Sequence, residues 1–251
     1  MSESVKPAKV KTPEIELAET IIAVLCGGTG GSVDVLKAAK LIAGFESAKF
    51  FTHHLNAVET FRSAKSLYDW ALGQRKIAGL NLEFGVASGA TLTQIALATS
   101  GKAYGFDGFM GLPEVWRTGY GEGAFARKDL PKVPENAELV IGWFKDTLPG
   151  FVAAHPEPLS YLHVDCDLYS STVDILTHLG RHIAPGTIVA FNDYFNYPGW
   201  QEHEHKAWLE WVAESGASFR YIGCNTRHQQ VVVVVDSNPS FAFPEKLRPL
   251  A

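Results

Sequence analysis

The chain has 251 residues, of which 46% are hydrophobic and 20% are charged, and its formal net charge is −5. This composition is typical of a globular protein with one substantial core, and no basic cluster favours binding to nucleic acid. Three scattered cysteines, the polar N-terminus and the short apolar stretches predict a reduced, cytoplasmic protein without a leader peptide or membrane span.

The first 78 residues contain two predicted parts. Residues 1–13 are rich in Lys, Pro, Ser and Glu and predict a disordered tail. Residues 14–78 place apolar residues at three- and four-residue spacing, as in VDVLKAAKLIAGF and NAVETFRSAKSLYDWALGQRK, and predict an N-terminal helical cap. The glycine run Gly27–Gly31 is either a connector between helices or a phosphate site. No strand ending in an acid follows it at the spacing that a nucleotide site needs.

Residues 79–251 alternate short apolar runs with helical patterns, which predicts one α/β domain. The runs that predict strands are LNLEFGV, KAYGFDGF, AELVIGWF, PLSYLHVDCD, GTIVAFNDY, FRYIGCN and QVVVVVD. The last two follow each other without a helix between them. We therefore expect a mainly parallel seven-stranded sheet that is covered by helices and has an antiparallel last strand at its edge. Ligands bind such sheets at the carboxyl ends of the strands.

The first predicted strand runs into a glycine-containing turn, LEFGVASGATL. Glu83, Gly85 and Gly89 have the spacing E-x-G-x-x-x-G, and Ala87 and Ser88 lie between the glycines. Small residues let a backbone approach a ligand closely, and the following helix start offers free N–H groups. The turn departs from the dinucleotide motif G-x-G-x-x-G and from the P-loop. Alone, it is also consistent with a tight strand-to-helix turn.

The second and third predicted strands end in residues that suit an adenosine ligand. Asp107 in YGFDGF follows Glu83 at roughly the 20-residue spacing at which an acid binds ribose hydroxyls. It could equally be the turn residue of an Asp-Gly pair. Trp143 or Phe144 in GWFKD could stack on an adenine or pack in the core.

The fourth and fifth predicted strands bring polar residues to neighbouring strand ends. Asp165 and Asp167 follow one strand in HVDCD, and Asn192 and Asp193 follow the next in FNDY. Carboxylates this close repel one another unless a cation lies among them, and oxygen ligands suit a hard ion such as Mg²⁺. Such an ion could hold two acceptor oxygens and lower the pKa of a hydroxyl. Asp167 could instead cap the following helix.

Four histidines and one loop are weaker candidates. His203 and His205 follow the fifth strand and either contact an acceptor or begin a solvated helix. His163 lies within a strand and is expected in the core, and His228 is expected in a hairpin. The Gly-rich and aromatic residues 111–123 form either a lid or an ordered surface loop.

Four of these segments together resemble a known family. LEFGVASGATL, YGFDGFMGLPE, HVDCDLYSST and FNDYFNYPGW are similar to class I S-adenosylmethionine-dependent methyltransferases. Within that class they resemble the metal-dependent, macrocin-type O-methyltransferases that act on sugars of macrolide and aminocoumarin antibiotics. The resemblance covers residues 50–236 and implies a Rossmann-like fold.

The resemblance also implies a cofactor, a metal and a set of site residues. S-adenosylmethionine would be held by Glu83, Gly85, Ala87, Ser88, Gly89, Asp107, Trp143 and Asp165. Mg²⁺ or another divalent cation would be held by Asp165, Asn192 and Asp193, and Asp165 would also accept the proton. The family often has Asp-Asp where this chain has Asn192-Asp193.

The expected activity is therefore Mg²⁺-assisted O-methylation of a small molecule, on a sugar of a natural product. The expected form is a homo-oligomer, a dimer or larger, without nucleic-acid or membrane partners. Three alternatives stay open from the sequence: a metal-independent O- or N-methyltransferase, an NAD(P)-binding oxidoreductase, and a non-catalytic adenosine-binding protein. The missing G-x-G-x-x-G weakens the oxidoreductase.

Overall fold

The computed structural model describes residues 16, 19–21, 23–24 and 32–250. The predicted tail 1–13 and the glycine run Gly27–Gly31 lie outside the described residues. Within the described part, no helix combines the length and the apolar character that crossing a membrane requires.

The elements follow the alternation expected from the sequence. The helices are α1 (Val35–Phe50), α2 (Ala64–Gly73), α3 (Ala90–Leu97), α4 (Phe144–Ala154), α5 (Tyr169–Leu179) and α6 (Glu204–Ser215), with a π-helical turn at Phe51–Leu55. The strands are β1 (Glu59–Phe61), β2 (Leu80–Phe84), β3 (Ala103–Asp107), β4 (Ala137–Ile141), β5 (Leu159–Val164), β6 (Ile183–Phe191), β7 (Ser218–Asn225) and β8 (Val231–Ser237). Side-chain oxygens of Asp34 and Ser63 cap α1 and α2, because a helix start leaves backbone N–H groups without partners.

The strands form one sheet in the order β1-β7-β8-β6-β5-β2-β3-β4. All neighbouring pairs are parallel except those of β8 with β6 and β7. The α/β class, the mainly parallel sheet and the antiparallel last strand are therefore confirmed. The expected edge position of that strand is wrong, because β8 lies inside the sheet, where four of its five valines are buried.

The sheet has one strand more than the sequence pattern indicated. Residues 59–61, predicted as part of a helix, form β1 and pair with β7 through Glu59 opposite Gly223. Thr60 and Phe61 suit a strand, and this short strand covers an edge of β7 that would otherwise be unpaired. α2 buries Leu67 and Leu72 in the core. The segment from residue 59 onward is thus part of the α/β layers and not only a helical cap.

The topology fixes the place of a ligand crevice. From β2 the chain moves one way to β3 and β4, and β5 and β6 lie on the other side of β2. Ligands bind such sheets at this reversal of strand order, outside the carboxyl ends. Both strands at the reversal, β2 and β5, are buried along their whole length, so the residues that follow them are held on a rigid base.

Candidate active site

A cavity of about 930 Å³ lies at the carboxyl ends of the central parallel strands. Its wall includes five of the predicted cofactor-binding residues: Gly85, Ala87, Asp107, Trp143 and Asp165. Its charged side chains, among the described residues, are Asp107, Glu114, Arg117, Glu122, Lys145, Asp165, Asp167, Asp174 and Asp193. The lining is thus strongly acidic, and two basic side chains stand among seven acids.

Gly85 lets the ends of β2 and β5 meet at the centre of this wall. Its φ is 92°, in the region that favours glycine. A Cβ at this position would overlap the carbonyl oxygen of Asp165. The motif glycine is therefore required for the close approach of two strand ends, apart from any contact with a ligand.

Asp107 braces the glycine-containing turn. One carboxylate oxygen accepts from the backbone N–H groups of Val86 and Ala87, both at 2.9 Å. The other accepts from Phe109 N–H at 2.7 Å. The same side chain lines the cavity, so the two roles that the sequence left open, turn residue and ligand contact, are compatible. Trp143 precedes α4 and presents its ring at the cavity wall.

The structure does not bring three predicted cofactor residues to the cavity. Glu83 is 1% exposed, and its Oε1 lies 3.0 Å from Nδ1 of His163. Burial raises the pKa of Glu83 well above its usual range and lowers the pKa of His163, so burial favours the neutral form of each partner in this hydrogen-bonded pair. The expectation that His163 lies in the core is confirmed. Ser88 and Gly89 are also absent from the described cavity wall.

Asp165, Asp167 and Asp193 form what we call the acidic cluster. One carboxylate oxygen of each lies within 4.8 Å of the others. Asp167 reaches this position through a tight turn, in which its φ is 63° and Leu168 N–H donates to Cys166 C=O at 2.6 Å. The N-cap of α5 is Leu168, without a side-chain capping bond. The alternative role of Asp167 as a helix cap is therefore wrong.

The acidic cluster retains protons near neutral pH. Burial raises the pKa of Asp165 to about 7. Burial and the neighbouring Asp193 and Asp165 raise the pKa of Asp167 to about 9. Burial also raises the pKa of Asp193. These directions are those of carboxylates that share a buried site without a cation between them.

Asn192 is oriented differently from a carbonyl ligand of that cluster. Its Oδ1 accepts from the Tyr68 hydroxyl at 2.8 Å and from Gln230 Nε2 at 2.9 Å. Its Nδ2 donates to Asp193 Oδ2 at 2.9 Å. Gln230 Oε1 in turn accepts from Asn225 Nδ2. In this series of hydrogen bonds each side-chain amide nitrogen donates to the next residue. Asn192 thus presents a donor to the cluster, in contrast to the predicted metal-ligating oxygen.

Arg117 brings a positive charge to the acidic cluster. Its guanidinium carbon lies 3.8 Å from the ring centroid of Trp116 and 4.6 Å from that of Tyr197. The Nε atom is buried and has no hydrogen-bond partner among the described residues. The guanidinium lowers the pKa of Asp167 and of Asp193. It therefore offsets part of the burial effect on these two acids.

Arg117 belongs to the loop of residues 111–123, which forms one wall of the cavity. Leu112 and Ala124 are joined by a backbone hydrogen bond of 2.9 Å, and Gly123 N–H donates back to Leu112 C=O. Ser170 Oγ also donates to Glu114 at 2.6 Å. The loop is ordered by these contacts, and its opening as a lid stays a prediction.

Glu204 is a site residue that the sequence interpretation missed. It is fully buried at the start of α6. Its Oε2 accepts from Asp193 N–H at 3.0 Å, and its Oε1 accepts from Cys166 N–H at 3.4 Å. The pattern EHEH indicated its flanking histidines instead. The available signal was an acid on the same helical face as Ala207 and Trp208, which are both buried.

The two histidines of that segment do not line the cavity. His205 packs against Tyr194 and Trp200 at ring separations of 4.9 and 4.7 Å, and burial lowers its pKa to about 4. His203 is half-buried, and neither histidine is on the described cavity wall. His228 lies between β7 and β8, so the hairpin position expected for it is confirmed.

Comparison with known proteins identifies the central part of the chain. Residues 82–194 match a family model described as a methyltransferase domain. The chain is 32% identical over 111 residues to demethyldecarbamoylnovobiocin O-methyltransferase of Streptomyces niveus, covering 37% of this chain and 41% of that protein. It is 40% identical over 70 residues to mycinamicin III 3''-O-methyltransferase of Micromonospora griseorubida, covering 28% and 26% respectively. The matches thus span less than half the length of these relatives.

Solved structures support the fold. The calicheamicin methyltransferase CalS11 aligns with a TM-score of 0.53 and 22% identity, over 93% of this chain and 99% of that one. The O-methyltransferase NovP aligns with a TM-score of 0.52 and 24% identity, over 69% and 78%. They confirm the expected Rossmann-like fold, and the match of residues 82–194 together with the two curated relatives confirms the resemblance to methyltransferases.

Proposed function

From the premise that residues 82–194 form a methyltransferase domain, we propose that the chain methylates a hydroxyl of a small molecule, with S-adenosylmethionine as cofactor. The proposed acceptor is a sugar of a natural product, because both relatives named above are O-methyltransferases of such compounds by name. The observation that carries the proposal is the acidic cluster, which stands on the cavity wall beside the glycine-containing turn.

The cofactor end of the cavity suits an adenosine ligand. Asp107 is fixed by backbone N–H groups and keeps free lone pairs that can accept from ribose hydroxyls. Trp143 offers an aromatic ring on the same wall. Gly85 leaves room for the backbone approach. S-adenosylmethionine, when bound, supplies the electrophilic methyl group.

The acidic cluster fits a divalent cation. Its donors are carboxylate oxygens within 4.8 Å of one another, and hard cations prefer such ligands. Asn192 turns its amide nitrogen towards the cluster, so we propose Asp165, Asp167 and Asp193 as the ligand set, in place of the set with Asn192. A cation bound there would supply a Lewis acid that lowers the pKa of an acceptor hydroxyl.

Asp165 is the proposed proton acceptor. It lines the cavity next to Gly85, and without a cation burial raises its pKa to about 7, which is near the range that suits a general base at neutral pH. As the acceptor oxygen bonds to the methyl carbon and the carbon–sulfur bond breaks, Asp165 would take the hydroxyl proton. The side chains that fix the two strand ends would contribute by alignment.

Calorimetric titration of S-adenosylhomocysteine, in EDTA and in Mg²⁺, tests the proposal together with direct Mg²⁺ titration. Wild type is expected to bind the nucleoside with a Kd on the order of micromolar and to bind Mg²⁺. Asp165→Ala should lose Mg²⁺ binding, and the matched control Asp174→Asn, at the same cavity but outside the cluster, should keep it. Absence of nucleoside binding would refute the proposal as a whole.

A second candidate is methyl transfer without a metal. It is favoured by Arg117, whose charge already acts on Asp167 and Asp193. Nucleoside binding without any Mg²⁺ signal would select it. Assembly into a homo-oligomer and a cytoplasmic location stay predictions beside either candidate.

A further inference from the structure

Glu204 touches both turns that carry the acidic cluster. Its two carboxylate oxygens accept from Asp193 N–H at 3.0 Å and from Cys166 N–H at 3.4 Å. Cys166 stands between Asp165 and Asp167 in the chain. A single side chain on α6 therefore joins the turn after β5 to the turn after β6.

Packing alone does not explain a carboxylate at this position. Glu204 is 0% exposed, and no Lys, Arg or His forms an ion pair with it among the described residues. Burying a carboxyl group without partners is costly, whereas an apolar side chain would fill the space freely. The two backbone N–H groups are the partners that its oxygens have.

The turn after β5 needs such support. Asp167 has a φ of 63°, in the left-handed region that costs a non-glycine residue energy. Residues persist in this region where their surroundings hold them. Glu204 holds the N–H group of Cys166, directly before the strained residue, and so acts on the side chain that completes the cluster.

We propose that Glu204 is a positioning residue, which sets the separation of Asp165 and Asp167 from Asp193 without touching cofactor, cation or acceptor. The consequence for cation affinity rests on the proposed function. The consequence for the two backbone turns is independent of the proposed function, and it can be measured in metal-free protein.

The test is Glu204→Gln in the full chain. Glutamine has nearly the same shape, but it has one acceptor oxygen, and its Nε2 would face an N–H group. Mg²⁺ affinity should fall about 10- to 100-fold, as for other residues that orient metal ligands. In metal-free protein, hydrogen exchange should rise about tenfold at whichever of the Cys166 and Asp193 amides then faces Nε2, which is the effect of one lost hydrogen bond. Glu202→Gln, an exposed neighbour paired with Lys206, is the control and should change neither.

A second variant guards against loss of the fold. Glu204→Asp keeps the carboxyl group but is one methylene shorter, so it can reach only one turn. It should lose Mg²⁺ affinity like the glutamine variant. S-adenosylhomocysteine affinity is measured in both and should stay within about threefold. Unchanged exchange at both amides would overturn the proposal, as would a parallel loss of nucleoside affinity and thermal stability. If wild type binds no Mg²⁺, the cation part of the proposed function fails, and the exchange measurement still decides the role of Glu204.

Discussion

Magnesium binding to the acidic cluster should depend steeply on pH. Metal binding requires ionised carboxylates, so protons compete with the cation. The pKa values of Asp165 and Asp167 are raised to about 7 and about 9. Between pH 6 and pH 8, the ionised fraction of Asp165 rises about tenfold and that of Asp167 about a hundredfold. The apparent association constant should therefore rise about 10³-fold, or about 4 kcal/mol.

The assay is calorimetric Mg²⁺ titration at pH 6, 7 and 8, repeated in buffers of different ionisation enthalpy to count released protons. About two protons should be released at pH 6 and about one at pH 8. Asp167→Asn should remove the release at pH 8, and Asp174→Asn should leave it. An affinity that changes less than about threefold over this range would refute the reasoning, because the cluster would then be ionised already or would not be the metal site.

The same shifts set the stability of the metal-free protein. Raised pKa values mean that the folded state binds more protons than the unfolded state, from the ordinary Asp value of 3.8 up to about 7 for Asp165 and about 9 for Asp167. The stabilisation is complete below that window and is lost as pH rises through it. The Tm without metal should thus fall from pH 6 to pH 9, and Mg²⁺ should restore it. A Tm that does not change between pH 6 and pH 9 would contradict this linkage.

Three further predictions concern single residues. Glu83→Gln should leave S-adenosylhomocysteine affinity within about threefold of wild type. Asp107→Asn should lower that affinity at least tenfold, or about 1.4 kcal/mol. A tenfold loss in Glu83→Gln would show that Glu83 belongs to the cofactor site. Gly85→Ala should destabilise the fold by about 2 kcal/mol or more in urea unfolding, because Gly85 has a positive φ and an added Cβ would overlap a neighbouring carbonyl. The control Gly150→Ala, at a glycine with open space around it, should be neutral or stabilising. Arg117→Met should move the midpoint of Mg²⁺ binding to higher pH, since a charge that lowers the pKa of two cluster acids is removed; a midpoint that moves down would show that the guanidinium does not act on them.

The positions of the strand-end acids could be predicted from the sequence. Parallel strands end at one edge of the sheet, so Asp107, Asp165 and Asp193 had to lie along the same edge once the strands were recognised. The burial of Glu83 could not be predicted in this way, because a motif spacing does not tell whether a strand-end acid points to the cavity or to a core histidine.

Contacts between distant segments account for what the sequence pattern missed. The orientation of Asn192 depends on Gln230 and Asn225 of the β7–β8 hairpin, and no local pattern encodes that chain of amides. The role of Glu204 likewise depends on two turns elsewhere in the chain. β1 has three residues, too few for a periodic pattern, and it exists because β7 offers an unpaired edge.

The acid-rich lining of the cavity bears on product release. Apart from the acidic cluster, which retains protons, four acidic and two basic side chains lie on the described wall, and this excess of acids attracts positively charged ligands. S-adenosylmethionine carries a sulfonium charge, which methyl transfer converts into a neutral thioether. If it is the cofactor, the wall would hold the spent nucleoside less firmly than the fresh one, and each turnover would itself weaken the attraction that keeps the product in place.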